Sequence, residues 1–465
     1  MEFRTELMEH QQTAFNKLKD IKIGALYMEQ GTGKTRTALE FIKYRLDKNK
    51  IDKVLWLCPC SVKTNLRKDI KKHTGTEQTE IIKIIGIESL SSSIRIYNEC
   101  LAFLQKNKVM MIVDESLLIK NFRAQRTQNI TRLGSLALYR MILNGTPISR
   151  NEADLFSQWY FLDWRILGFK SYYVFAANHL EYDNHGRIKR ILDIDRLAKK
   201  IVPYSYQVTK EECLDLPARS YRERYCELTE EQLFNYDEVY RELIGEVDEF
   251  KPATIYRFFT ALSDVISGQK VTVGKHLITT PIFKNPEDNP RIQTLLYTLD
   301  EGEKTIIFCR YVHEIKAIEQ VLKKEYGKNS TSLFFGEVPL KKRIQELERF
   351  EKDNETQFLL ANKNCAGFGL NLQFCKKIIF YSNDWDLGTR IQAEDRVYRI
   401  GQDSEVTIID IIAADSLDEV IMSNLSRKRG KLGSLKDEID KDKNNLLLEI
   451  FKELKEAHKN ENLHR

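Results

Sequence analysis

No stretch of this sequence approaches the ~18 consecutive apolar residues that a membrane-spanning helix needs, which argues against a bilayer span. The first ten residues, MEFRTELMEH, are polar and hold no apolar core, so they do not read as a secretory leader. Paired Cys-x-x-Cys motifs are also missing. The eight cysteines stand at 58, 60, 100, 213, 226, 309, 365 and 375, and only the first two are close. That scatter disfavours a zinc site and fits the reduced thiols of a cytoplasmic protein. Charge of one sign is scarce as well, because 73 basic against 68 acidic residues leave only +5. A nucleic-acid partner would therefore have to meet a local basic groove rather than a basic molecule. Periodic repeats and low-complexity tracts are absent too.

What is present is a chain of 465 residues, 42% hydrophobic and 30% charged, an ordinary balance for a soluble protein with two or three cored domains. Short apolar runs alternate with helical patterns in two zones. The first zone holds IGALYM, KVLWLC, IIKIIG, VMMIVDE and LYRMILNG, and the second KTIIFC, TSLFF, TQFLLAN, KKIIFYS and VTIIDII. Runs apolar on both faces, each followed by a helix, predict parallel sheets covered on both sides. Between the zones, from about Asp163 to Pro286, the chain turns aromatic, charged and mainly helical.

The segment ALYMEQGTGKTRTALEFI carries a phosphate-loop pattern with one defect. Gly33, Lys34 and Thr35 fill its last three places, but Met28 stands where the first glycine belongs. The flanks favour a nucleotide site over a chance Gly-Lys-Thr at a helix start. An apolar strand precedes the loop, and Ala38, Leu39, Ile42 and Leu46 recur at helical spacing after it. In that context the N–H groups of the loop and the helix N-terminus converge on one anion. Gly31 and Gly33 would let the backbone close round a phosphate, with Thr32 between them. Lys34 would reach the outer phosphates and Thr35 would hold magnesium.

Asp114 and Glu115 follow the strand VMMIVD. One carboxylate there suits magnesium and the next suits orienting the attacking water. Gly145, Thr146 and Pro147 form a turn before a helix bearing Leu155, Phe156 and Trp159. Farther on, Arg396 and Arg399 lie three apart in QAEDRVYRIGQ, a spacing that predicts one helical face. Two arginines aimed at a γ-phosphate would stabilise transition-state charge, although a solvated basic face has the same spacing.

Taken in order, MEQGTGKT, VLWLCPCSV, DESLLIKN, LNGTPISRNEADLFSQWYFL, CAGFGLNL and QAEDRVYRIGQ resemble the motifs of the Swi/Snf-like DNA-dependent ATPases, helicase-like proteins of superfamily two. The likeness runs from about Leu7 to Leu425 and includes the linker CLDLPARSYRERYCELTEEQ. It implies two tandem RecA-like α/β lobes with parallel sheets, a mainly helical insertion and a helical C-terminal tail. The expected bounds are 1–165 for the ATP-binding lobe, 166–285 for insertion and linker, 286–425 for the second lobe and 426–465 for the charged tail.

Carried over by position, Gln11 resembles the glutamine that reads adenine. Lys34 and Thr35 would bind ATP phosphates and magnesium, Asp114 would hold magnesium, and Glu115 would activate water. Gln392, Arg396 and Arg399 would complete the catalytic set. Ser61, Gly145, Thr146, Gly367, Asn371 and Trp385 would face DNA or couple it to ATP. Two positions depart from the family, Leu117 and Tyr398, where histidines serving coupling are usual. Hydrolysis stays credible while coupling is put in question.

The resemblance implies an ATP-hydrolysing motor that follows duplex DNA without regard to sequence and without classical strand separation. A strand-separating helicase on DNA or RNA, and a non-catalytic nucleic-acid clamp, are the alternatives. Chromatin-reading appendages are not recognisable, so a nucleosome remodeller is not expected. A compact motor of bacterial or phage type is, acting in replication, recombination, repair or defence. In the tail, Leu447, Ile450, Phe451 and Leu454 share one helical face, suited to docking on the second lobe or to binding a replication or recombination protein.

Overall fold

The computed structural model describes residues 1–145, 154–182, 188–245, 252–274, 276–363 and 372–431. The chain divides into two compact units, with the boundary between Leu216 and Pro217.

The first unit contains β1 (Ile23–Met28), β2 (Lys53–Cys58), β3 (Ile82–Gly86), β4 (Val109–Asp114) and β5 (Tyr139–Asn144). A small antiparallel ribbon, β6 (Leu180–Tyr182) with β7 (Ile188–Ile191), precedes β8 (Ser205–Val208). The main sheet runs β3-β2-β4-β5-β1-β8, and each of its pairings is parallel. Its central strands β1, β2 and β4 are largely apolar because they serve two cores at once. Ala25, Tyr27, Leu55, Leu57, Met111 and Val113 pack on one face. Leu26, Met28, Val54, Trp56, Met110 and Ile112 pack on the other. The alternation is the two-residue strand period, with both faces covered by helices.

The second unit begins with β9 (Arg219–Cys226) and an antiparallel hairpin of β10 (Gln269–Thr272) and β11 (Ile278–Pro281). It continues with β12 (Thr305–Cys309), β13 (Thr331–Phe334), β14 (Phe358–Asn362), β15 (Lys377–Phe380) and β16 (Val406–Ala413). Its sheet has the order β13-β14-β12-β15-β16-β9, again with parallel pairings. The two parallel-sheet α/β lobes expected from the sequence are thus present.

The stretch 166–285 does not form a body of its own. Phe175, Leu197 and Ile201 enter the core of the first unit, while Phe258, Phe259, Leu262 and Val265 enter the core of the second. Each sheet also takes an edge strand from this stretch, β8 in the first and β9 in the second. The two edge strands carry polar residues because one margin of each is unpaired in its sheet and much of β9 faces solvent. Of the charged tail, residues 432–465, including Leu447, Ile450, Phe451 and Leu454, lie outside the described residues.

Candidate nucleotide and coupling site

In parallel sheets, ligands gather at the carboxyl ends of the strands. β1 opens there into the phosphate loop, β4 ends on Asp114, β2 leads to Ser61 and β5 leads to Gly145. Four of the motifs therefore share one edge of one sheet.

The loop's backbone is left-handed at both glycines, with φ 87° at Gly31 and 89° at Gly33. Gly33 is the N-cap of the helix Lys34–Asp47, so the helix starts as the loop closes. A Cβ on Gly33 would sit 2.1 Å from Gln11 Nε2. The carbonyl of Thr32 accepts from Gln11 Nε2 at 3.1 Å and bonds His10 Nε2 at 2.8 Å. Since a carbonyl only accepts, His10 carries its proton on Nε2. Two side chains from the helix Glu9–Leu18 thus hold the loop at its middle, and both are buried. Gln11 Oε1 in turn accepts from Met8 N at 3.1 Å. The Thr32 hydroxyl donates to Glu29 O at 2.8 Å, and Lys34 Nζ donates to Met28 O at 2.9 Å. Thr35 stands half-buried in the first turn of the helix. A Cβ on Gly145 would lie 3.9 Å from Gln30 N, placing the turn after β5 beside the phosphate loop.

Burial and the adjacent Glu115 carboxylate push Asp114 up to about 7, against the downward pull of the Lys34 ammonium. Asp114 still keeps a solvent-facing edge. Two crowded carboxylates are hard oxygen donors of the kind that suits magnesium, and a divalent cation would relieve their repulsion. Glu115 is left-handed, φ 50° and ψ 56°, a conformation uncommon outside glycine and often kept at functional sites. Its N–H donates to Asp114 Oδ1 at 3.0 Å. The next residue, Ser116, donates through Oγ to Gln158 Oε1 at 2.6 Å.

Ser61 lies half-buried in the short 3-10 turn Cys60–Val62, steadied where Cys60 N donates to Glu88 Oε2 at 2.9 Å. Thr146, Gly367 and Asn371 lie outside the described residues.

In the second unit, the helical face expected for Arg396 and Arg399 is not formed. The helix Leu387–Glu394 ends before either arginine, and both occupy the turn that follows. That turn is tied down locally: Leu372 N donates to Arg396 O at 3.0 Å, and Gln402 N to Arg399 O at 3.0 Å. Gln402 Nε2 clamps the carbonyls of Gln373 and Cys375 at 2.9 and 3.0 Å. Backbone bonds outside the helix thus override the three-residue spacing. Arg396 is buried and Arg399 half-buried.

Gln392 is on the exposed side of the helix. The opposite side holds the helix to the sheet, where Arg390 grips Asp410 of β16 with both terminal nitrogens at 2.5 and 2.7 Å. Arg390 Nε also meets Glu394 at 3.0 Å, and Tyr221 of β9 donates to Glu394 at 3.1 Å. Such bidentate pairs fix geometry as well as charge. Tyr398 lies beneath the Arg219 guanidinium, 4.2 Å from the ring centroid. Trp385 is 3% exposed and packs against Phe259 at 5.1 Å, so it can act only through neighbours and not by touching DNA.

His10, Ser116 and Gln158, which brace the loop and the acidic turn, were not singled out by the sequence. His10 had one available signal, its place beside Gln11. The Ser116–Gln158 pair had none, because the partners are 42 residues apart.

A parallel sheet with a glycine loop on its first strand and an acidic pair at the end of another defines the nucleotide-binding lobe of a nucleoside triphosphatase. Residues 78–261 match the family described as SNF2-related domain, and residues 289–401 match the helicase conserved C-terminal domain. Residues 4–133 match the res subunit of type III restriction enzymes. On these matches the chain is similar to the SNF2-like ATPases of superfamily two, and it is an ATP-hydrolysing enzyme. It is 23% identical to an uncharacterized ATP-dependent helicase of Mycoplasma genitalium, covering 87% of this chain and 39% of that protein. It is 25% identical to the TATA-binding protein-associated factor BTAF1 of Arabidopsis thaliana, covering 91% of this chain and 25% of that one. The chain therefore spans about two fifths or less of these relatives. Among solved structures, the Sulfolobus solfataricus SWI2/SNF2 ATPase core in complex with dsDNA is 24% identical at a TM-score of 0.41, covering 94% of both chains. Among the described residues, no helix is long and apolar enough to cross a membrane.

Proposed function

We propose that this chain is a motor that hydrolyses ATP on binding DNA and moves along the duplex without separating its strands. The observation that carries the reading is the assembly at one sheet edge of a left-handed phosphate loop, Lys34 and the Asp114–Glu115 pair, in a chain similar to the SNF2-like ATPases. Glu115 takes a proton from water as the water oxygen attacks the γ-phosphorus, and ADP leaves with the broken bridging bond. Lys34 offsets charge on the phosphates, and Gln392, Arg396 and Arg399 are the further residues read as catalytic. Thr35 and Asp114 would hold magnesium, which when bound neutralises phosphate charge.

The backbone amides, hydroxyls and scattered basic residues of the motifs suit phosphates and carry no base code. Binding then ignores sequence and weakens steeply with salt as counterions are released. Replication, recombination, repair or defence in a bacterial cell or phage-infected host is the setting this activity suits, with the tail available to a partner from such a pathway.

Strand separation is the second reading, and one observation favours it. Tyr173 is 64% exposed and stands edge-on to Phe122 at 5.7 Å, a ring placed to act as a wedge. Two substrates separate the readings: a third strand wound on a duplex, and a forked duplex. Displacement of the third strand with the fork intact is expected. Efficient fork opening, or stimulation by RNA alone, would hand the case to the helicase.

A further inference from the structure

The residue that follows the strained Glu115 is fastened from a distant part of the chain. Ser116 and Gln158 are both fully buried, and their 2.6 Å hydrogen bond joins the acidic turn to the helix Asp154–Leu167. The turn itself is short, and Ile119 at its end is buried in the core. It is a 3-10 helix of four residues, Ser116–Ile119, closed by Leu118 N donating to Glu115 O at 2.9 Å. So short a 3-10 segment is weak by itself, yet its first residue must hold Glu115 in a region that other residues rarely visit.

Gln158 is also out of character with its surroundings. Leu155, Phe156, Trp159, Phe161 and Leu162 pack the same helix into the core. A residue serving packing alone at position 158 could be apolar, with no polar group to desolvate. An amide at 0% exposure in that company is there for its hydrogen bonds.

We propose that Gln158, acting through Ser116, is a positioning residue that holds Glu115 in line with the attacking water, and that the helix Asp154–Leu167 sets turnover by this bond. The inference rests on the reading of Glu115 as the water-activating carboxylate. Misplacing a catalytic group by about 1 Å can cost ~10²-fold in rate, while ATP contacts made by the phosphate loop are untouched.

The test measures kcat and KM for ATP in the full chain with duplex DNA, alongside binding of a fluorescent ATP analogue and thermal melting. Ser116→Ala and Gln158→Leu are each expected to lower kcat by ~10²-fold with KM and analogue affinity unchanged. The double variant should be no slower than either single one, because both break one bond. Ser116→Thr keeps the hydroxyl and should recover most of the turnover. Normal turnover in Ser116→Ala overturns the proposal, as does a loss of kcat that Ser116→Thr fails to recover. If Gln158→Leu does not fold, the alanine–threonine contrast at 116 decides alone. Glu115→Gln is the control: if it turns over normally, the reading of Glu115 itself falls. If it is dead while Ser116→Ala is normal, only the positioning role falls.

Discussion

Gly33 and Gln11 occupy one space: a methyl group on the glycine would stand 2.1 Å from the glutamine's amide nitrogen. The glutamine expected to read adenine is thereby packed onto the phosphate loop, and it reaches the loop again through the Thr32 carbonyl. Gly33→Ala meets two obstacles, this contact and a φ of 89°. A left-handed alanine alone costs ~1–2 kcal/mol. The variant should bind a labelled ATP analogue at least ~10-fold more weakly. Adding Gln11→Ala removes the contact but not the backbone strain, so affinity should recover only in part. Full affinity in Gly33→Ala would show that the loop is looser than described.

Lys34→Ala should abolish hydrolysis. Glu115→Gln should slow it by ~10²–10⁴ while ATP still binds, the usual result of removing a positioned base. Single-turnover hydrolysis with pre-bound ATP separates these effects, and a normal rate in Glu115→Gln would remove it from the base role.

Arg399→Ala is the cleaner test of the second unit, because Arg396 is buried and its removal would also leave a space in the packed turn. A finger arginine is worth ~10³ or more in turnover. Arg399→Ala should therefore keep ATP affinity and lose kcat on that scale. Unchanged turnover in both variants would return the pair to an ordinary basic turn.

Acid should loosen the N-terminal segment. Arg4 N donates to His73 O at 2.7 Å, and the Thr5 hydroxyl meets His73 Nδ1 at 2.8 Å. Burial, then Lys72 and Arg36, push the His73 imidazole down to about 4. A histidine whose folded pKa lies below its unfolded value of ~6.5 favours the folded state above that pH. The contribution fades as pH falls from ~6.5 towards 4, where the unfolded chain binds the extra proton first. Protection of the Arg4 amide, measured relative to its intrinsic exchange rate, should fall over that window, and His73→Asn should flatten the dependence. An unchanged profile in His73→Asn would move the effect to another group.

The sequence by itself determined the two sheets, because each apolar run quoted from the two zones is a strand, most of them buried on both faces, and that burial is what an apolar run records. It also placed the glycine loop and the acidic pair, since both follow such strands directly. Tertiary structure decided what no local pattern encodes. The strand RSYRERYC runs beside β16 from Arg219 to Cys226 although much of it faces solvent. An edge strand is held mainly by backbone bonds to one neighbour, so its side chains need not be apolar. Arg396 and Arg399 left the expected helix because Leu372 and Gln402 bond the backbone of the turn. Trp385 turned inward onto Phe259. The partner of Ser116 is Gln158, 42 residues farther on, since periodicity reports which face of an element is buried and not which distant side chain meets it there.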